Sequence, residues 1–141
     1  MVDDDEDDCF LVEAALKDAC IHCTFRCVND GLEIMDYLQR NGHFHDPEVA
    51  PLPDIILLDL NMPKMDGRQV LKLLKKDPRF RAIPVIILTT SRSDEDVKAC
   101  YDLGANSYIT KQSSFDGLIS TMKTVTEYWL NLATLPPKTR V

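Results

Sequence analysis

The chain reads as an α/β protein built on a parallel sheet covered on both faces. Residues 55–58 (IILL) and 85–88 (VIIL) are continuous apolar runs, and strands without polar alternation belong in sheets buried on both sides. Amphipathic helical segments separate the strand segments from one end of the 141 residues to the other, and that alternation calls for parallel strands joined by crossover helices.

Residues 7–20 carry Phe10, Leu11, Ala14, Ala15 and Leu16 on one helical stripe and predict the first helix. Residues 24–28 (TFRCV) have the β-branched and aromatic content of a short strand. Asn29-Asp30-Gly31 is a turn that starts a second helix, whose apolar positions are Leu32, Ile34, Met35, Tyr37 and Leu38 and which stops at Asn41-Gly42. Residues 41–53 hold three prolines and no periodicity, so they form a loop, with His43 and His45 as solvated surface.

The next strand covers residues 54–59. Asp66-Gly67 opens a helix with Val70, Leu71, Leu73 and Leu74 at helical spacing, closed by Asp77-Pro78. Residues 84–88 are a strand. Ser93 caps a helix with acid in its first turn, where the helix dipole favours it, and Gly104 ends it. Residues 107–110 form the last strand. Phe115, Leu118, Ile119, Met122, Val125 and Trp129 mark the last helix, and residues 135–141 form a tail. Ahead of the first helix the pattern requires a strand, but only Met1 and Val2 precede Asp3. That strand is either very short here or truncated, with further residues belonging upstream of Met1.

Composition bounds the function. A net charge of −7 opposes nucleic-acid binding through the surface as a whole. No run approaches the roughly 18 consecutive apolar residues of a membrane helix, and the acidic start MVDDDEDD is unlike a signal peptide. A cytoplasmic location is the expectation. The five cysteines lie mostly in apolar-patterned segments and read as small buried hydrophobes. Cys20 and Cys23 form a C-x-x-C, yet no second ligand pair follows to build a zinc site.

Ligands of open α/β sheets sit outside the carboxyl ends of the strands. Here those ends carry Asp3-Asp4-Asp5, Asp59, Thr89-Thr90-Ser91 and Lys111. Clustered carboxylates repel one another unless a cation lies among them, and hard oxygen ligands suit Mg²⁺. With Mg²⁺ in place a carboxylate can attack a phosphoryl group, and Lys111 and Thr89 can then donate to the new anionic oxygens. Taken singly, each residue has a plainer reading as surface charge or strand-end hydroxyl, and a solvated helix cap accounts for Asp7 and Asp8. Their recurrence at successive strand ends favours a site.

These motifs, Asp3-Asp4, DLNMP at 59–63 with Asp66-Gly67, LTTS at 88–91 and YITK at 108–111, make the chain resemble the CheY-like receiver domain of bacterial response regulators. The loop before PDIILLDLNMP, the ILTTS strand and EYWLNLATLP near the C-terminus resemble the small stand-alone regulators paired with phytochrome-type histidine kinases. The resemblance implies a doubly wound five-stranded sheet of order 2-1-3-4-5 with five helices. It implies a receiver domain over residues 1–134 followed by the tail, with no DNA-binding output domain.

By the same resemblance Asp59 is the phosphoacceptor. Asp4, Asp59 and the Asn61 carbonyl bind Mg²⁺, and Asp3 acts on the metal through water. Lys111 pairs with phosphoryl oxygens, Thr89 swings to bond them, and Tyr108 turns inward. Pro63 and Gly67 shape the neighbouring loop. The family usually has proline after the lysine; Gln112 stands there instead. The implied function is a phosphorelay switch that takes its phosphoryl group from a histidine kinase, with self-phosphorylation and slow autodephosphorylation as its only catalysis.

The expected partners are that kinase, docking nearer the first helix, and a second copy of the chain. The second copy would use the face of the fourth helix, fifth strand and fifth helix, with Cys100, Tyr101, Tyr108 and residues 129–135. Two alternatives carry less weight. A docking-only pseudo-receiver would tend to lose the acid pair or Asp59. A phosphatase of the haloacid-dehalogenase type would need a general acid two residues after the nucleophile, where this chain has Asn61.

Overall fold

A computed structural model describes residues 1–138. Five α-helices surround a parallel sheet: α1 Glu6–Asp18, α2 Gly31–Gln39, α3 Gly67–Lys76, α4 Asp94–Asp102 and α5 Phe115–Thr126. The strands are β1 Ile56–Leu58, β2 Val85–Thr89 and β3 Ser107–Thr110, hydrogen-bonded in the order β1-β2-β3. Ile56 aligns with Val85, and Ile86 with Ser107.

Side-chain alternation along these strands divides the interior in two. Ile56, Leu58, Val85 and Ile87 face one core with Ile34, Leu71, Leu74 and Phe80 from the α2 and α3 side. Leu57, Ile86 and Leu88 face the other, with Val12 and Leu16 of α1 and Met122 and Val125 of α5. Every residue of β1 and β2 is buried, as their unbroken apolar runs require.

The sequence predicts five strands, and three form among the described residues. Val2 makes one parallel bridge to Val28 and another to Leu58, while residues 24–27 stay irregular. A strand is held by hydrogen bonds to its neighbour, and the neighbour of residues 24–28 consists of Met1 and Val2 alone. Their contacts are made at the end nearest the site. Val28 N–H donates to Met1 O, and Asp3 N–H donates to Val28 O.

The helix starts follow the predicted capping logic. Asp30, Ser93 and Ser114 cap α2, α4 and α5, and Asp66 forms a capping box with Gln69 on α3, each cap worth about 1 kcal/mol. The last helix departs from expectation: α5 ends at Thr126 and the wider π turn Glu127–Leu132 follows. The Thr126 hydroxyl donates to Met122 O at 2.6 Å within the buried face, a back-bond of the kind that bends helices. The loop at 41–53 is better anchored than its prolines suggest. It contains the 3₁₀ turn Gly42–Phe44, buries Phe44 and Ala50, and receives the Tyr37 hydroxyl on Pro51 O at 2.8 Å. His43 and His45 are exposed there, as expected. Of the tail, residues 139–141 lie outside the described residues.

The cysteine reading needs correction. Cys9 and Cys27 lie side by side, with Cα atoms 6.3 Å apart, and Cys20 and Cys23 are exposed rather than buried. Cys100 alone among the unpaired cysteines is buried. The contact between α1 and the Val28 segment is tertiary, and spacing in the sequence does not reveal it.

The loop leaving β1 is clamped between two helix starts. A Cβ on Gly31 would lie 2.5 Å from Met65 O, and one on Gly67 would lie 2.1 Å from Asp59 O and 2.8 Å from Leu60 Cα. Gly67 N–H donates to Leu60 O at 2.9 Å, so α3 begins in direct contact with the backbone that carries Asp59. A Gly67→Ala protein is expected to lose about 1–3 kcal/mol, the usual cost of overpacking, read as a lower urea midpoint.

Candidate functional site

Asp59 follows the last residue of β1, and its N–H donates to Val2 O at 3.0 Å. That bond sets the end of the Val2 segment beside the end of β1, which brings Asp3 and Asp4 to Asp59. The three carboxylates each offer an oxygen within 4.8 Å of the others. Lys111, just past β3, has its N–H on Thr89 O at 2.8 Å and its ammonium on Asp3 at 2.6 Å, 3.9 Å from Asp59. The Lys111–Gln112 peptide is trans. Sequence reasoning thus names four strand ends, and the fold gathers all four.

Asp8 is part of the site rather than a solvated cap. Its carboxylate accepts from Lys111 at 2.7 Å. Asp5 is the N-cap of α1, so Asp8 stands in the first turn, on the side facing the strand ends. Identifying Asp5 as the cap would have placed it. Asp7 only donates its backbone N–H to the Asp5 carboxylate.

The two acids of the pair differ. Asp3 is fully buried, with one oxygen accepting from Asp5 N–H and the other from Lys111. Asp4 is exposed, and among the described residues its carboxylate has no hydrogen-bond partner. Asp4 can therefore turn to a metal at no cost in existing bonds, whereas Asp3 is already held.

Burial pushes the Asp3 carboxyl up, against the opposing pull of Lys111. Burial also raises Asp59, with Lys111 opposing and Asp3 adding to the rise. For Lys111 burial acts downward, but the bonds to Asp3 and Asp8 outweigh it and the net shift is upward. The ammonium stays charged, and the carboxylates around it lack a second positive charge.

Thr89 ends β2, fully buried, and its hydroxyl is the sole buried side-chain polar atom without a hydrogen-bond partner among the described residues. Its influence on Asp59 is small and downward, short of a formed bond. An orphaned buried hydroxyl costs about 1–3 kcal/mol, and an anionic oxygen arriving on Asp59 would relieve it. Among the described residues no hydrogen bond engages the exposed Asn61, which leaves its carbonyl free as a ligand.

Tyr108 is half-buried, and its hydroxyl donates to Ser91 O at 2.9 Å. Ser91 Oγ donates to Asp96 at 2.5 Å, and Asp96 also pairs with Arg68 at the start of α3. The loop after Thr89 is thereby tied to β3, α4 and α3. Sequence reasoning found Tyr108 and missed Arg68 and Asp96, which become partners only when the start of α3 meets the first turn of α4.

The donor set suits a hard divalent cation. Two carboxylates and a carbonyl, completed by water, make the partial octahedron that Mg²⁺ prefers, and Lys111 pairs with Asp3, Asp8 and Asp59 rather than with Asp4.

A family model described as the response regulator receiver domain matches residues 1–123. Response regulator Rcp1 of Synechocystis is 40% identical over 136 residues, covering 96% of this chain and 90% of its own. The structure of the Mn²⁺-bound form of Rcp1 has a TM-score of 0.85 and covers 96% of each chain. The phosphorylated cyanobacterial phytochrome response regulator RcpA is 42% identical, with a TM-score of 0.88 over 96% of this chain and 95% of its own. A response regulator in red light signalling of R. palustris is 35% identical, with a TM-score of 0.91 over 97% and 96%.

Replacing Asp4 with alanine is expected to weaken Mg²⁺ binding by about tenfold or more, the loss of one direct ligand, with the fold retained. Calorimetry or NMR titration measures it. Trp129 packs against the α1–α5 core rather than at the site, so its fluorescence is a poor reporter.

Proposed function

The chain belongs to the response regulator receiver domain family, and from that premise we propose that Asp59 is the residue it phosphorylates. The observation that carries this is the convergence on one carboxylate of a buried hydroxyl lacking a partner, Thr89, and an ammonium 3.9 Å away, Lys111. An Asp59 oxygen attacks phosphorus as the bond to the donor's imidazole nitrogen breaks, and that nitrogen keeps the electron pair. Asp59 becomes an acyl phosphate. Lys111 shifts from Asp3 and Asp8 toward the phosphoryl oxygens, and Thr89 donates to one of them.

Asp4, Asp59 and the Asn61 carbonyl would hold Mg²⁺ directly and Asp3 through water. The ion would supply the positive charge that four carboxylates and one lysine lack. Phosphoryl transfer and slow self-dephosphorylation are the only chemistry assigned to the protein. The switch runs from Thr89 into the loop that Ser91 ties to Tyr108 and Asp96, so the readout is the face around α4, β3 and α5.

The sheet order 2-1-3-4-5 is supported by the bridges from Val2 to Val28 and Leu58, which put residue 2 between the other two. The receiver unit is assigned to residues 1–134, with the tail following. A histidine kinase, of phytochrome type by kinship with Rcp1 and RcpA, is the proposed donor. Phe10, Leu11 and Phe115 are exposed on α1 and at the start of α5, and α1 packs on α5, so this apolar surface fits a kinase docking there. No helix among the described residues is long and apolar enough to cross a membrane. In the proposed cytoplasmic setting Cys9 and Cys27 would be kept as thiols.

For a homodimer the expected patch changes. Cys100 is wholly buried and cannot take part, whereas Tyr101, Tyr128 and Leu132 are exposed. The last two lie on the π turn, where an apolar surface on an acidic protein marks a protein contact.

Incubation with acetyl phosphate and Mg²⁺ should add one phosphoryl group, seen by mass spectrometry as labile to base. Asp59→Asn should abolish it while circular dichroism stays unchanged. Full labelling of that variant would put the acceptor elsewhere. Deleting residues 129–141 should shift a dimer toward monomer in sedimentation. A full-length protein that stays monomeric at high concentration, with and without beryllofluoride, assigns the patch to another partner.

A further inference from the structure

Cys9, near the start of α1, and Cys27, next to Val28, bring their sulfur atoms into contact, with Cα atoms 6.3 Å apart. That separation lies within the span a disulfide bridges without moving the backbone. The two residues are 18 positions apart in sequence, and among the described residues no other cysteines meet in this way.

Both sulfur atoms sit on one backbone contact behind the strand-end carboxylates. Asp3 N–H donates to Val28 O at 3.1 Å. Cys9 Sγ is 3.9 Å from Asp3 O, and Cys27 Sγ is 3.8 Å from Val28 O. As thiols, each is a weak donor to a carbonyl of that contact. Cys9 also follows Asp8, whose carboxylate accepts from Lys111 at 2.7 Å. The pair therefore joins α1 to the Val28 segment at the point where Asp3 enters the sheet.

The two thiols differ in access. Cys9 is buried and Cys27 is half-buried. A small oxidant reaches Cys27 from solvent, and Cys9 stands next to it as a resolving thiol.

We propose that Cys9 and Cys27 are a reversible oxidation site, which a peroxide converts to a disulfide that holds the Asp3 segment against α1 and Val28. The Cys27 thiolate attacks one peroxide oxygen, the O–O bond breaks, and the second oxygen leaves with a proton as water. Cys27 is then a sulfenic acid. The Cys9 sulfur attacks the Cys27 sulfur, the S–O bond breaks, and a second water leaves with the Cys9 proton. Two thiols are oxidised and one peroxide is reduced to two waters. A small thiol restores the pair by exchange. Disulfides of this transient, redox-sensing kind are the ones a reducing compartment tolerates.

The reaction needs neither metal nor phosphoryl donor, so its outcome is separate from the role proposed for Asp59. Its effect on the site is mechanical. The cross-link replaces two weak S–H donors with a covalent bond on either side of the Asp3–Val28 contact, which restrains the segment that carries Asp3 and Asp4.

The test treats the full chain, and a Cys20→Ser, Cys23→Ser variant that lacks the exposed thiols, with hydrogen peroxide. Each should lose about 2 Da, the two thiol hydrogens, and yield a linked peptide pair containing Cys9 and Cys27. Dithiothreitol should reverse it. Oxidation should raise Tm by about 5 °C or more and slow hydrogen exchange at the Asp3 amide by tenfold or more in NMR. Cys27→Ser, at a half-buried position, should show none of these changes. Oxygen added to Cys27 in place of the 2 Da loss, a link from Cys27 to Cys100 or to a second chain, or a Cys9–Cys27 disulfide that leaves Asp3 exchange unchanged overturns the proposal.

Discussion

Asp3, Asp8 and Asp59 share the ammonium of Lys111 while Asp4 stands beside them without it, and the organisation of the site end of the molecule follows from that imbalance. Lys111 satisfies Asp3 and Asp8 at hydrogen-bond distance and reaches Asp59 only at 3.9 Å. The residual negative charge is concentrated at Asp4 and Asp59, one exposed and one nearly buried. Carboxylates this close hold their charge only with a cation among them. The same arrangement leaves Lys111 bonded to two anions with a third within 4 Å.

Charge can be gathered this way because the backbone beneath it is rigid. β1 and β2 are buried along their whole length, and the loop that follows β1 is pressed between the starts of α2 and α3 at Gly31 and Gly67. The support is uneven. Asp59 and Thr89 ride on paired strands, whereas Asp3 and Asp4 ride on a segment joined to the sheet by two bridges.

The unsatisfied Thr89 hydroxyl links site to surface. It is the place where a new anion changes the local energy. The loop beyond it is bonded through Ser91 to Tyr108 and Asp96, which joins Thr89 to α4 and β3. Arg68, in the first turn of α3, closes the chain of contacts through Asp96.

The sequence by itself determined the helices, the buried strands and the strand-end residues, because these depend on local signals. Unbroken apolar runs, helical spacing and capping residues such as Asp66 and Ser93 act over a few positions. Asp59, Thr89 and Lys111 were legible because each ends or follows a strand in a parallel sheet, where topology alone brings strand ends together. What depends on contacts between distant segments was decided only in three dimensions. Asp8 became a partner of Lys111, Cys9 met Cys27, and Cys100 left the surface for the core. Residues 24–27 have strand-like side chains, yet they form no strand, since strand formation needs a neighbour along its full length and residue types alone do not supply one.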